Sequence, residues 1–197
     1  MTTHSKTKSI PLCALCGLRA NIFSVRGKIL AAIFLIAGLI TLFLFAHHDW
    51  NALPENLTAD RILVEKAERK LSIFREGKLI KTYGIALGRN PVGAKEKEGD
   101  MKTPEGVYKI DNRNPKSDYH LALHISYPSD QDNARATARG VNAGFDIMIH
   151  GLPNGKGWMG AAHRQIDWTA GCIAVTDEEI EELWRIVPDG TTIEIRP

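Results

Sequence analysis

The chain has 197 residues, of which 44% are apolar, and carries 25 basic against 23 acidic side chains. That length holds one domain with a short appendage, and the formal charge of +2 gives no electrostatic footprint for nucleic acid. The small excess is also unevenly placed: Lys6, Lys8, Arg19, Arg26 and Lys28 precede residue 49, where no Asp or Glu occurs, so the remainder is slightly acidic.

The basic arm leads into ILAAIFLIAGLITLFLFA, residues 29–46, a run of 18 residues without a charge. As a helix it would span roughly 27 Å, close to the thickness of a hydrocarbon core. It is longer than the apolar centre of a secretory signal peptide and lacks a small-x-small cleavage site at its end. The expectation is an uncleaved transmembrane anchor, with a removed signal as the alternative. The positive-inside rule places residues 1–28 in the cytoplasm and everything after His48 outside. Cys13 and Cys16 form a lone CxxC in the arm, without the second pair or βαβ context that metal or redox chemistry requires. Beyond the arm the only thiol is Cys172. A single unpaired thiol sent to an oxidising compartment is a liability unless it is used.

Residues 47–60, HHDWNALPENLTAD, show no periodicity and read as a linker. From Arg61 to Leu87 short alternating segments predict a β-meander that turns at Arg75–Lys78. Further strands are expected over 106–110, 121–127, 146–149, 173–175 and 192–195. Thr176 before Asp177, Glu178 and Glu179 predicts a capped helix with an apolar stripe of Ile180, Leu183, Trp184 and Val187. A second helix is expected over 130–139. The fold class that follows is mainly β, a β-rich α+β domain over 61–197 built as a two-sheet sandwich or open barrel with a few helices.

The densest group of unusual residues is IMIHGLPNGKGWMGAAHRQIDWTAGCIAV, 147–175. A strand ending at Ile149 delivers His150, and Gly151 allows a sharp turn. After a Gly-rich excursion, Gly171 and Cys172 precede the apolar Ile173–Val175. Cysteine acyl chemistry needs a thiolate, and a neighbouring imidazole is its usual source. His150, at a strand end, is therefore the best placed candidate base, and the backbone at Gly171 and Cys172 the candidate oxyanion donors; a buried cysteine beside a turn glycine, with a histidine that caps a strand, is the alternative reading of the same residues. His163, in the Gly-rich loop, is the rival base. Asp167 and Trp168 either close the pocket or anchor the loop. His120 and His124 share a strand face, but without a third ligand they read as solvent-facing rather than as a metal pair.

His150-Gly151, the Gly-containing insert and Thr169-x-Gly171-Cys172-Ile173, together with Lys102-Thr103-Pro104-Glu105-Gly106, resemble the signature of the L,D-transpeptidase (YkuD-type) catalytic domain. The resemblance covers roughly residues 60–197 and implies that His150 and Cys172 are the catalytic pair. It implies a peptidoglycan stem peptide as substrate, a thioester on Cys172, an amine acceptor and no cofactor. Hydrolysis of the same bond, or release of a wall-linked protein, is the alternative; a wall-binding or thiol-sensing domain without acyl chemistry is the other. Gly151, Thr169, Arg164, His163 and Trp168 are the expected substrate-binding residues. Two departures mark a divergent branch of the family: TAGC stands in place of SHGC, and Ala174 replaces the usual Arg two positions after the cysteine. Arg164 or Arg139 would have to supply the missing guanidinium.

Overall fold

The structure, a computed structural model, describes residues 27–42, 53–54 and 56–197. It divides into an N-terminal unit and a unit running from Leu53 to Pro197. In the first, 27–42 form a helix, α1, whose side chains are exposed throughout. Among the described residues no helix is long and apolar enough to cross a membrane. The last four residues of the expected span 29–46, like the CxxC of Cys13 and Cys16, lie outside the described residues.

The second unit contains eight strands and two α-helices. In chain order they are β1 (Arg61–Glu65), β2 (Lys70–Arg75), β3 (Lys78–Gly84), β4 (Gly106–Ser117), β5 (His120–Ile125), α2 (Asp130–Ala138), β6 (Met148–His150), β7 (Ile173–Ala174), α3 (Asp177–Ile186) and β8 (Thr192–Arg196). The class is β-rich α+β, as the alternating segments predict. Of the expected forms, a two-sheet sandwich or an open barrel, the strands make two halves joined in one continuous order, β3-β2-β1-β8-β4-β5-β6-β7. The reason is β4, whose first half pairs with β8 and whose second half pairs with β5 across a register shift between Ile110 and Asn112. Alternation ends at Ile110, so the polar stretch 111–117 gives no sequence signal of a strand. It is held instead by Arg113, whose guanidinium bonds to Asp189 and to the carbonyls of Trp184 and Val187. The two ends of the order are drawn together by residues 85–88, since Ala86 and Ala174 exchange backbone hydrogen bonds of 3.0 and 2.9 Å.

Alternation decides which faces are buried. In β1, Ile62 and Val64 point inward, and they meet Ile193 and Ile195 of the parallel strand β8 in register. Helix α3 begins with a capping box between Thr176 and Glu179 and covers this core with Ile180, Leu183 and Ile186. Each such fully buried aliphatic side chain contributes about 1.5–3 kcal/mol. Trp184, expected in the same stripe, is only partly buried and carries the Arg113 guanidinium 5.0 Å from its ring centre.

Of the expected linker 47–60, residues 47–52 and 55 lie outside the described residues, and 53–54 and 56–60 join the domain instead. Leu53 and Leu57 pack against the core, Ala59 is buried, and the Ala59 N–H donates to the Ile186 carbonyl at 2.8 Å. Three apolar contacts spread over eight residues form no periodic pattern, so the sequence alone hides them.

Candidate active site

Cys172 precedes the two-residue strand β7, which runs parallel to β6 with His150 opposite Ala174. Side chains on paired strands alternate with a period of two, so Cys172 projects from the same face as His150. Both line a cavity of about 380 Å³, together with Arg89, Tyr119, Trp168 and Asp146 among others. Sequence separation plays no part in this: the parallel pairing of two very short strands brings imidazole and thiol to one wall.

His150 is buried, and its Nδ1 lies 2.7 Å from the Gly151 carbonyl oxygen. A carbonyl can only accept, so Nδ1 carries the proton and Nε2 is left with its lone pair. The ring is packed between Tyr119, 4.5 Å away between centroids, and the edge of Trp168, at 5.7 Å. Burial lowers the pKa of His150 and raises that of Cys172, so both are uncharged at neutral pH. The thiol hydrogen is directed to the Asp146 carbonyl at 3.4 Å. The imidazole and the thiol thus line one cavity as two neutral groups rather than as a preformed ion pair.

The turn carrying the cysteine is built by Thr169. Its hydroxyl accepts the Gly171 N–H at 3.1 Å and donates to the Cys172 carbonyl at 2.7 Å. The Gly171 N–H, expected as an oxyanion donor, is therefore engaged within the turn. No backbone acceptor for the Cys172 N–H is found among the described residues. Gly171 has a φ of +137°, and a Cβ there would lie 2.6 Å from the Lys102 carbonyl oxygen, so only glycine fits.

The TPEG segment lies directly beneath this turn. Thr103 accepts the Gly88 N–H at 3.1 Å through its hydroxyl, and Lys66 donates to the Thr103 carbonyl and to Glu105, at 3.1 and 2.8 Å. Gly88 in turn sits beside Thr169 in a parallel bridge. A Cβ on Gly88 would overlap the Met101 carbonyl, so the approach of these two segments depends on it.

The other expected residues take different places. His163 is buried but lines a separate, mainly apolar cavity of about 450 Å³ with Leu152, Met159 and Ile166; Trp168 forms the wall shared with the Cys172 cavity. Its Nδ1 accepts from Trp168 Nε1 at 3.4 Å, and its buried Nε2 has no partner. Burial and the adjacent Arg164 lower its pKa to about 4. The loop that carries it, expected to be irregular, is a 3-10 segment, Gly157–Gln165, kinked at Gly160. Arg164 is paired with Glu179 and Arg139 with Glu96, and neither lines the Cys172 cavity. Asp167 anchors its loop: it pairs with Arg69 at 2.7 Å and accepts the Leu87 N–H at 2.9 Å. Gly151 is buried and donates its N–H to the carbonyls of Tyr119 and Leu121, so it supports the turn rather than a ligand. His120 and His124 do not form a pair, because His120 meets Glu181 at 2.7 Å and His124 meets Asp111 at 2.6 Å. No group of His, Cys, Asp and Glu among the described residues could hold a metal ion.

Residues 59–195 match the family model described as the YkuD L,D-transpeptidase catalytic domain. The chain belongs to this family. YafK of Escherichia coli strain K12, provisionally named an L,D-transpeptidase, is 29% identical over 133 residues, 64% of this chain and 46% of that protein. YkuD of Bacillus licheniformis, named in the same way, is 28% identical over 137 residues, 70% of this chain and 66% of that one. Among solved structures, the helical cell shape determining protein Pgp2 from Campylobacter jejuni matches with a TM-score of 0.54 and 25% identity, covering 79% of this chain and 54% of that one. Bd1075 of Bdellovibrio bacteriovorus matches with a TM-score of 0.51 and 29% identity, covering 74% and 50%. The chain spans about half the length of YafK and of these two structures. Against this YkuD-family background, Arg89 is the one cation lining the Cys172 cavity that the motif residues do not include. Its position after Gly88, just past the end of the expected strands at Leu87, gives no hint of that place.

Proposed function

We propose that this YkuD-family chain is a cysteine acyltransferase of cell-wall peptidoglycan, acting outside the cytoplasm on stem peptides. The observation that carries the reading is the shared cavity of Cys172 and His150, with the imidazole held as an Nε2 base by the Gly151 carbonyl. On attack, the Cys172 sulfur bonds to the carbonyl carbon of the third stem residue while its proton passes to His150 Nε2. Collapse of the tetrahedral intermediate breaks the amide bond, and the proton moves to the departing amino group of the terminal D-amino acid. A thioester remains on Cys172. An acceptor amine then attacks the thioester carbon, loses its proton to His150, and the sulfur leaves as the thiol on recovering that proton. The Cys172 N–H stabilises the oxyanion in both steps. Thr169 shapes the turn, and Trp168 walls the acyl site. The TAGC form and Ala174 are read as features of a divergent branch. No cofactor takes part.

The apolar run 29–46 behind a basic, acid-free arm supports a single N-terminal membrane anchor, with 61–197 as the catalytic region. The likeness to Pgp2, a cell shape determining protein by name, supports a role in wall remodelling and cell shape. Incubation of the purified protein with defined tetrapeptide stems, with and without an acceptor amine, tests the reading by product mass. A crosslinked product that disappears in Cys172→Ala is expected. Release of the terminal residue with water incorporated, and no amine adduct, would make the enzyme a hydrolase. Unchanged peptides would overturn acyl chemistry.

A further inference from the structure

We propose that Arg89 anchors the terminal carboxylate of the peptide bound at Cys172, a deeper reading of the same site that rests on the proposed function. The usual guanidinium of this family is absent, since position 174 is Ala and buried. Arg164 and Arg139 are taken by Glu179 and Glu96. Arg89 alone brings a permanent positive charge to the cavity wall, where the acidic side chains are Asp118 and Asp146. An anion entering this cavity is therefore attracted at one point and repelled at two, which fixes its direction.

Arg89 is also positioned for that task. Its backbone N–H donates to the Thr169 carbonyl at 3.1 Å, beside the bridge between Gly88 and Thr169. Its Nε donates to the Trp168 carbonyl, again at 3.1 Å. These two bonds tie the backbone and the Nε of Arg89 to the loop that carries Cys172. The two terminal nitrogens have no acidic partner among the described residues. Such a pair presents parallel N–H groups that match a carboxylate in a bidentate manner. The ligand class is a peptide ending in a free carboxylate, with the bond to be broken one residue before that end. An acceptor, which offers an amine, gains nothing from this group and is favoured by the two aspartates.

The experiment uses the full chain with Cys172→Ala, so that binding is read without turnover, and two tetrapeptides identical except for a terminal carboxylate or carboxamide. Titration calorimetry is expected to show the acid binding about 10- to 100-fold more tightly than the amide, the range for charge-assisted hydrogen bonds. Adding Arg89→Gln, which keeps a donor for the Trp168 carbonyl, should reduce that ratio to near one by weakening the acid alone. Arg89→Lys should retain a several-fold preference. Far-ultraviolet circular dichroism and thermal unfolding check that each variant is folded. An unchanged ratio in Arg89→Gln, an equal loss for both peptides, or no measurable binding of either would overturn the anchor. Arg89-dependent preference without any acyl adduct on wild-type Cys172 would leave the anchor standing and sink the acyltransferase reading. An adduct formed with an Arg89-independent ratio would do the reverse.

Discussion

The hydroxyl of Thr169 joins backbone groups of two consecutive residues in the Cys172 turn, accepting from the Gly171 N–H and donating to the Cys172 carbonyl. Thr169 is itself buried, so both backbone groups depend on this one oxygen. Thr169→Val preserves the shape but leaves a donor and an acceptor without partners, at about 1–3 kcal/mol each. The expected outcome is a lower denaturation midpoint and slower acylation of Cys172 by about tenfold or more, with Thr169→Ser close to wild type. Denaturant unfolding and mass-resolved acylation measure the two effects. Equal behaviour of Val and wild type would remove the role given to the hydroxyl.

The pH dependence of acylation distinguishes the two histidines. Burial holds His150 below the 6.5 of a free imidazole, so the unprotonated base persists as pH falls through 6.5 and is lost only below it. Burial also holds the Cys172 thiol above its ordinary 9.0, so free thiolate contributes little at neutrality. Wild-type acylation should therefore be flat through neutrality and decline below pH 6.5. His150→Ala should be slower by about 10²–10⁴ at pH 7 and should recover only as rising pH ionises the thiol. A neutral-pH profile that survives His150→Ala and vanishes in His163→Ala would reverse the assignment.

His163 offers a stability test instead. Its folded pKa of about 4 lies below the unfolded 6.5. Between those values the unfolded chain binds a proton that the native state refuses, so stability falls as pH drops from 6.5 towards 4. His163→Phe should make the unfolding free energy less sensitive to pH in that window. The remaining slope should carry the contribution of His150, which is shifted in the same direction. Unfolding curves at several pH values provide the measurement, and an unaltered slope would contradict the depressed pKa.

Lys66 is 2% exposed and reaches the carbonyls of Gly93 and Thr103 as well as Glu105. Removing one member of a buried pair leaves the other charge uncompensated and costs about 3–5 kcal/mol. Lys66→Met is expected to be destabilised to that extent, whereas the double variant Lys66→Met, Glu105→Leu should recover most of the loss. Because Thr103 also holds Gly88, Lys66→Met should further weaken Arg89-dependent peptide binding. Chemical denaturation of the single and double variants checks the coupling.

Much of this protein follows from local pattern. Alternation marked the strands around Ile62, Val64, Ile193 and Ile195, and Thr176 with its acidic first turn marked the start of α3, because capping and face selection act within a few residues. The candidacy of His150 and Cys172 came from the resemblance of the HG and GC motifs to the family signature, since locally each residue only stands at a strand boundary next to a glycine. Tertiary structure decided the rest. The polar half of β4 is a strand because β5 and Arg113 hold it, and residues 53–60 pack on the core through three scattered apolar contacts. The burial that takes His163 out of the Cys172 cavity comes from Trp168, and the place of Arg89 comes from a bridge between segments some 80 residues apart, Gly88 and Thr169. Side-chain periodicity specifies which face of an element is apolar. It carries no information about which polar group on a distant element will complete a cavity, since that depends on how all eight strands close around one core.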